Sequence, residues 1–198
     1  MKLVFATGNK GKLREASEIL GSQFDLLSSA EAGVTEDVEE TGATLEENSI
    51  IKAEFIYQRT GLDCFADDTG LEVDALGGAP GVFTARYAGE GCCFDDNMNK
   101  LLAELAKLGP SVSRKARFRS VVTLIIGGEK HFFEGVMEGR IALQKAGCGG
   151  FGYDPVFIAD AYPDRTVAEL PEDVKNAISH RGQALRAMAE WLHRAKIA

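Results

Sequence analysis

Residues 2–20 read KLVFATGNKGKLREASEIL. The apolar run over residues 2–6 has the character of a buried strand, and it leads straight into Thr7, Gly8, Asn9, Lys10, Gly11 and Lys12. Asn9 is a favoured N-cap, Leu13, Ala16 and Leu20 then recur near helical spacing, and Gly21 supplies the stop. A second short strand near residues 24–27 completes a β-α-β opening, which argues for an α/β fold. The same junction is either an anion-binding geometry or an ordinary strand-to-helix turn with solvated lysines. The helix dipole and free backbone N–H groups face the ligand, small residues let it approach, and Lys12 adds a point charge that reaches phosphate oxygens. It is not a P-loop, which would need a glycine at position 6 and a hydroxyl at 13, where the chain has Ala6 and Leu13.

Outward from that opening, residues 31–43 are polar and acidic and read as a loop. Thr44 and Glu47 form a capping box for a helix carrying Ile51, Phe55 and Ile56 and ending at Gly61. Residues 63–76, DCFADDTGLEVDAL, read as strand, sharp acidic turn, strand. A Gly/Pro-rich loop follows, and Asp95 or Asp96 is expected to cap a helix carrying Met98, Leu101, Leu102 and Leu105. Residues 116–137 make the clearest hairpin, two β-rich runs around Gly127-Gly128. A last helix begins near Ser179, with Leu185, Met188, Ala189 and Leu192 on its apolar face. No repeat, low-complexity tract or flexible linker interrupts the chain, so residues 1–198 read as one domain with a mixed sheet, the hairpin contributing to a second lobe.

Composition narrows the function. Lys and Arg total 22 against 30 Asp and Glu, a formal net charge of -8, which argues against a broad nucleic-acid or anionic-membrane surface while suiting a divalent cation. The opening lysines are then a local counter-charge in an acidic protein. The cysteines at 64, 92, 93 and 148 form no Cys-x-x-Cys pair and read as reduced thiols of a cytoplasmic protein. The N-terminal apolar run is too short for a signal peptide or a membrane span.

Three further stretches carry chemistry. Asp67 and Asp68 in ADDTG repel one another unless a cation lies nearby, so with the Glu39-Glu40 pair they are candidate metal ligands; solvent-exposed turn chemistry is the plainer alternative. Gly147, Gly149 and Gly152 satisfy the dinucleotide fingerprint letter by letter, but Tyr153-Asp154-Pro155 follows where a helix should open. The loop instead presents Phe151, Gly152, Tyr153 and Asp154, either as a stacking face with a hydrogen-bond acceptor for a base or as a packed aromatic corner. Lys175, His180 and Arg181 form either a donor-rich set suited to phosphate or to a base carbonyl, or a capping cluster on the surface.

Taken in order, these pieces resemble the inosine triphosphate pyrophosphatase family across nearly the whole chain. The motifs are Thr7-Gly-Asn-x-x-Lys12, Glu39-Glu-Thr-Gly42, Glu47-Asn-Ser-x-x-Lys52-Ala, Ala66-Asp-Asp-Thr-Gly70, Leu76-Gly-Gly-Ala-Pro-Gly81 with Ala85-Arg-Tyr87, Gly149-Gly-Phe-Gly-Tyr-Asp-Pro155 and Ser179-His-Arg181. The resemblance implies a long mixed sheet, two α/β lobes flanking a central substrate cleft, and a homodimer. It implies Mg2+-dependent cleavage of non-standard purine nucleoside triphosphates (ITP, dITP, XTP) to the monophosphate and pyrophosphate. Carried over residue by residue, Thr7 to Lys12 resembles the triphosphate loop, Asp68 the proton acceptor and a metal ligand, and Glu39 the second metal carboxylate, with Glu40 its alternative. Thr69 resembles a substrate contact, Phe151 to Asp154 with Lys175, His180 and Arg181 the base and nucleotide pocket, and Asp67 a helper. Thr69 stands where the family often has Ser, and Cys148 where Thr is common. A pyrophosphatase of different base preference, or a non-catalytic nucleotide-binding module, are the competing readings; the module would not need both Asp68 and Glu39.

Overall fold

A computed structural model describes residues 1–195. Its first elements are β1 (Lys2–Phe5), α1 (Lys10–Leu20), β2 (Asp25–Ser28), α2 (Leu45–Thr60), β3 (Cys64–Val73), β4 (Pro80–Gly81) and α3 (Phe94–Lys107). Then follow β5 (Lys115–Ile126), β6 (Glu129–Ile141), β7 (Phe157–Ala159), α4 (Glu172–Ile178) and α5 (His180–Arg194). The strands form one mixed sheet in the order β2-β1-β3-β5-β6-β7, with β4 paired to β3. β1 runs parallel to β2 and β3, with Val4 opposite both Leu27 and Cys64, whereas β7 is antiparallel to β6. The expected α/β class with a mixed sheet is thus the observed one.

The chain divides into two units. The first comprises Met1–Asp68, Ser120–Gly135 and the described residues from His180 on; the second comprises Thr69–Arg119 and Val136–Ser179. β3, β5 and β6 each contribute residues to both units.

In the first unit, the two-residue period of a strand sorts side chains onto two faces. Leu3 and Phe5 of β1, Phe65 of β3 and Val122 and Leu124 of β5 pack with Ala16 and Leu20 of α1 and Ala184, Leu185, Met188 and Leu192 of α5. Val4, Cys64, Ala66 and Ile125 turn the other way, onto Ala53 and Ile56 of α2. Phe5 and Phe65, neighbours on parallel strands, stack with ring centres 4.5 Å apart. Each such fully buried side chain contributes about 1.5–3 kcal/mol of transfer free energy, which is what holds the helices to the sheet.

The second unit has its own core, built from Leu71 and Val73 of β3, Met98, Leu101 and Leu105 of α3, Phe118 of β5, Ile141 of β6 and Phe157 of β7. Gly127 and Gly128, at φ +56° and +86°, make the turn between β5 and β6, where positive φ at both central residues matches the twist of the strands.

Two expectations need correction, and one helix is added to those expected. ADDTG is not a turn: β3 runs unbroken from Cys64 to Val73, because buried cations neutralise Asp67 and Asp68 and remove the need for exposure. The cap of α3 is Cys93, and Asp96 acts from the third helical position, accepting the Cys93 N–H at 2.9 Å. A separate short helix, α4, precedes α5 and ends at Ser179.

Candidate active site

The alternation that sorts the core also sorts the acids. Phe65 faces α1 and α5, Ala66 faces α2, and Asp67 and Asp68 continue the pattern at the end of the first unit. Asp67, 2% exposed, accepts hydrogen bonds from Lys12 Nζ of α1 at 3.0 Å and Arg181 Nε of α5 at 2.9 Å. Arg181 also pairs through Nη1 with Glu15 of α1. Burial alone would raise the Asp67 carboxyl, but Lys12 and Arg181 outweigh it and hold it far below the usual carboxylate range. Burial in turn lowers the Lys12 ammonium despite its partner.

On the α2 face, Lys52 Nζ lies 2.8 Å from Asp68 Oδ1 and 2.9 Å from Glu40 Oε1. Burial raises the Asp68 carboxyl above its ordinary value, and Glu40 and Asp67 add to this against the opposing charge of Lys52. The segment bearing Glu40 is pinned to α2: Asn48 Oδ1 accepts the Gly42 N–H at 2.8 Å, and a Cβ on Gly42 would lie 2.6 Å from that same oxygen. Thr44 and Glu47 make the expected capping box, and Ser49 ties α2 to Thr123 of β5 at 2.6 Å. Glu39 is exposed; Glu40 is the member of the pair that meets Asp68 through Lys52.

In the opening loop Asn9 caps α1 as expected, but its Oδ1 accepts the N–H groups of Gly11 and Lys12 at 2.9 and 3.2 Å. Those two amides are therefore not free for an anion, a correction that follows from the strength of Asn as a cap. What the loop offers is the helix dipole and the lysine side chains, Lys10 being exposed. A cavity of about 470 Å³ in this unit is lined by Thr7, Gly8, Asn9 and Lys12, by Ser29 and residues 34–38, and by Glu40, Lys52 and Asp67.

The second unit holds Thr69, half-buried on β3, and the aromatic loop. Phe151 is 45% exposed, and the Lys175 ammonium lies 4.6 Å from its ring centre. Asp154 Oδ2 accepts from the Phe151 N–H at 2.9 Å and from Lys175 Nζ at 2.5 Å, which locks the loop to α4. Tyr153 belongs to the core, its hydroxyl donating to the Thr84 carbonyl at 2.9 Å. So the two aromatics divide: Phe151 is exposed and Tyr153 is packing. After Gly152 comes only a 3-10 turn, Asp154–Val156, as the rejection of the dinucleotide reading requires. Lys175, His180 and Arg181 do not form one group. Lys175 serves the aromatic loop, whereas Arg181 Nε and Nη1 are committed to Asp67 and Glu15.

Among the described residues no three His, Cys, Asp or Glu side chains gather closely enough to hold a metal unaided. Mg2+ asks for less, namely one or two carboxylates, waters and substrate phosphates. Asp68 and Glu40 supply that donor set, since both already face one cation, the Lys52 ammonium. The residues present fit a hard divalent ion of this kind.

Residues 3–191 match the model of the Ham1 family. The chain belongs to the Ham1 family. It is 47% identical over 192 residues to a protein of Flavobacterium johnsoniae named dITP/XTP pyrophosphatase, covering 97% of this chain and 98% of that one. A protein of the same name from Porphyromonas gingivalis is 50% identical over 98% of this chain and 99% of its own. The solved structure of a HAM1 protein from Coxiella burnetii superposes with a TM-score of 0.91 at 40% identity, over 98% of this chain and 99% of that one.

Within this Ham1-family site, sequence reasoning gave no role to Lys52 or Glu15 and ranked Asp67 only as a helper. A signal was present. The buried positions of α2 are Leu45, Asn48, Ser49, Lys52, Ala53 and Ile56, an uninterrupted helical stripe in which three residues are polar. Polar residues on a stripe that must be buried need partners, and here those partners are the site.

Proposed function

We propose that this protein hydrolyses non-standard purine nucleoside triphosphates, dITP, XTP and ITP, to the nucleoside monophosphate and pyrophosphate. The naming of its Ham1-family relatives supports the reaction. The observation that carries the residue assignment is Asp68: a buried carboxyl, raised above its ordinary value, facing Lys52 and Glu40 in the unit whose cavity is lined by the opening lysine loop. A raised carboxyl is a stronger base, so Asp68 takes the proton of the attacking water. Lys12 and the start of α1 stabilise charge on the departing pyrophosphate. Asp68 and Glu40 would hold Mg2+, which when bound would neutralise phosphate charge and activate water.

At the base end, the exposed ring of Phe151 offers a stacking face, and Lys175 beside it is a donor. A donor matches the 6-carbonyl of hypoxanthine and xanthine and opposes the 6-amino group of adenine, leaving a buried mismatch unpaired. Among the described residues no helix is long and apolar enough to cross a membrane. We place the enzyme in the cytoplasm as a homodimer, the setting and assembly that the family resemblance implies.

The test is a panel of ITP, dITP, XTP, GTP and ATP with Mg2+, reading products and rates. Pyrophosphate with the monophosphate is expected, at rates favouring ITP, dITP and XTP over ATP by ~100-fold or more. Release of orthophosphate, or ATP turned over as fast as ITP, would overturn the proposal.

A further inference from the structure

Lys52 lies on the buried stripe of α2, where an apolar residue would ordinarily pack, and it is only 8% exposed. Its ammonium occupies the point at which Asp68 Oδ1 and Glu40 Oε1 converge, 2.8 and 2.9 Å away. Both carboxylates are held from elsewhere. Asp68 is fixed by its place in β3, and the Glu40 segment by the Asn48–Gly42 hydrogen bond one helical turn before Lys52. The lysine, on a flexible four-carbon stem, is the movable member of the three.

We propose that Lys52 is an internal counter-cation, which holds Asp68 and Glu40 ready in the metal-free enzyme and is displaced from between them by the divalent ion. The inference rests on the assignment of those two carboxylates as metal ligands. Facing carboxylates repel, and Lys52 removes that repulsion without a metal. An ammonium and a divalent ion cannot share one position, so Lys52 also competes with the metal. Lys52 lines the same cavity as Thr7, Asn9 and Lys12, where the phosphates of a bound triphosphate give the displaced ammonium a new partner. Metal and nucleotide therefore load together, and by linkage each raises the affinity for the other equally.

The test is Mn2+ titration by electron paramagnetic resonance on the full chain, with and without a non-hydrolysable ITP analogue. Wild type is expected to bind Mn2+ weakly alone and about tenfold or more tightly with the analogue, a typical coupling. Lys52→Met is expected to bind Mn2+ alone about tenfold more tightly than wild type and to gain little from the analogue. Its thermal midpoint should also rise more on adding Mn2+. Lys52→Gln, which can hydrogen-bond both carboxylates, repeats the measurement should the methionine variant fail to fold. Neutral variants that bind Mn2+ no more tightly than wild type overturn the proposal. Asp68→Asn separates the two readings: Mn2+ binding unchanged in that variant overturns the metal assignment itself, whereas Mn2+ binding lost there but unaltered by Lys52 substitution overturns only the displacement.

Discussion

Asp67 and Asp68 are adjacent on one strand, yet the two faces of β3 treat them in opposite ways. Under α1 and α5, Asp67 meets two cations, Lys12 and Arg181, and Glu15 balances the second of them. Under α2, Asp68 shares one cation with another carboxylate, Glu40. The first carboxyl is held well below its ordinary range and the second is raised above it. An over-matched buried acid stays ionised and builds architecture. An under-matched one keeps an affinity for protons and for further positive charge, which is what a base and a metal ligand require. One residue of register therefore separates the structural acid from the one we propose as base and metal ligand.

The largest effect should come from breaking the chemical side. Asp68→Asn keeps the shape of β3 and removes the proposed proton acceptor, so turnover of ITP should fall by ~10²–10⁴-fold, the usual worth of a positioned base. Circular dichroism should be unchanged, and the thermal midpoint should move little, because the lost carboxylate was disfavoured by its own burial. Turnover within a few-fold of wild type would erase the distinction between the two faces.

Breaking the structural side should appear in stability. Asp67→Asn leaves Lys12 and Arg181 facing a neutral amide, and stranding buried charge in this way costs about 3–5 kcal/mol. For a chain of this size that lowers the thermal midpoint by roughly 10 °C. A midpoint drop no larger than that of Asp68→Asn would show that the two acids are equivalent supports, and the contrast would fail.

The same contrast explains what a reader of the sequence can and cannot see. Elements set by local chemistry were legible: the Asn9 cap of α1, the Thr44–Glu47 box of α2 and the Gly127-Gly128 hairpin all depend on residues within a few positions of one another. The acids were misread as a turn because Asp-Asp-Thr-Gly is good turn chemistry until cations from residues 12, 52 and 181 arrive from distant helices. Lys175, His180 and Arg181 looked like one cluster because they are close in sequence. The end of α4 and the start of α5 part them, sending Lys175 to Asp154 and Arg181 to Asp67. Glu39 and Glu40 were not separable by spacing; across the fold it is Glu40 that pairs with Lys52, which supports our reading of Glu40 as the metal ligand. Residue types announce a site, but pairing across the fold assigns the roles.

The smallest and most discriminating effect is in pH, where the two acids should act with opposite sign. Asp67 has a folded value below its unfolded one, so its contribution to stability is present above the ordinary carboxylate value of about 3.9 and is lost as pH falls toward the folded value. Asp68 has a folded value above its unfolded one, so its contribution is fully present below about 3.9 and is lost as pH rises through the folded value. Thermal midpoints of wild type, Asp67→Asn and Asp68→Asn, measured without metal from about pH 3 to 7, therefore give two difference curves around that value. Relative to wild type, Asp67→Asn should become less stable as pH rises across the window, because only wild type gains the ionised, paired Asp67. Asp68→Asn should become more stable relative to wild type over the same window, because only wild type must ionise a buried carboxyl that burial disfavours. The divergence is expected to be on the order of a few degrees. Parallel difference curves would mean that the two faces of β3 hold their acids alike, and the division of roles between Asp67 and Asp68 would have no electrostatic basis.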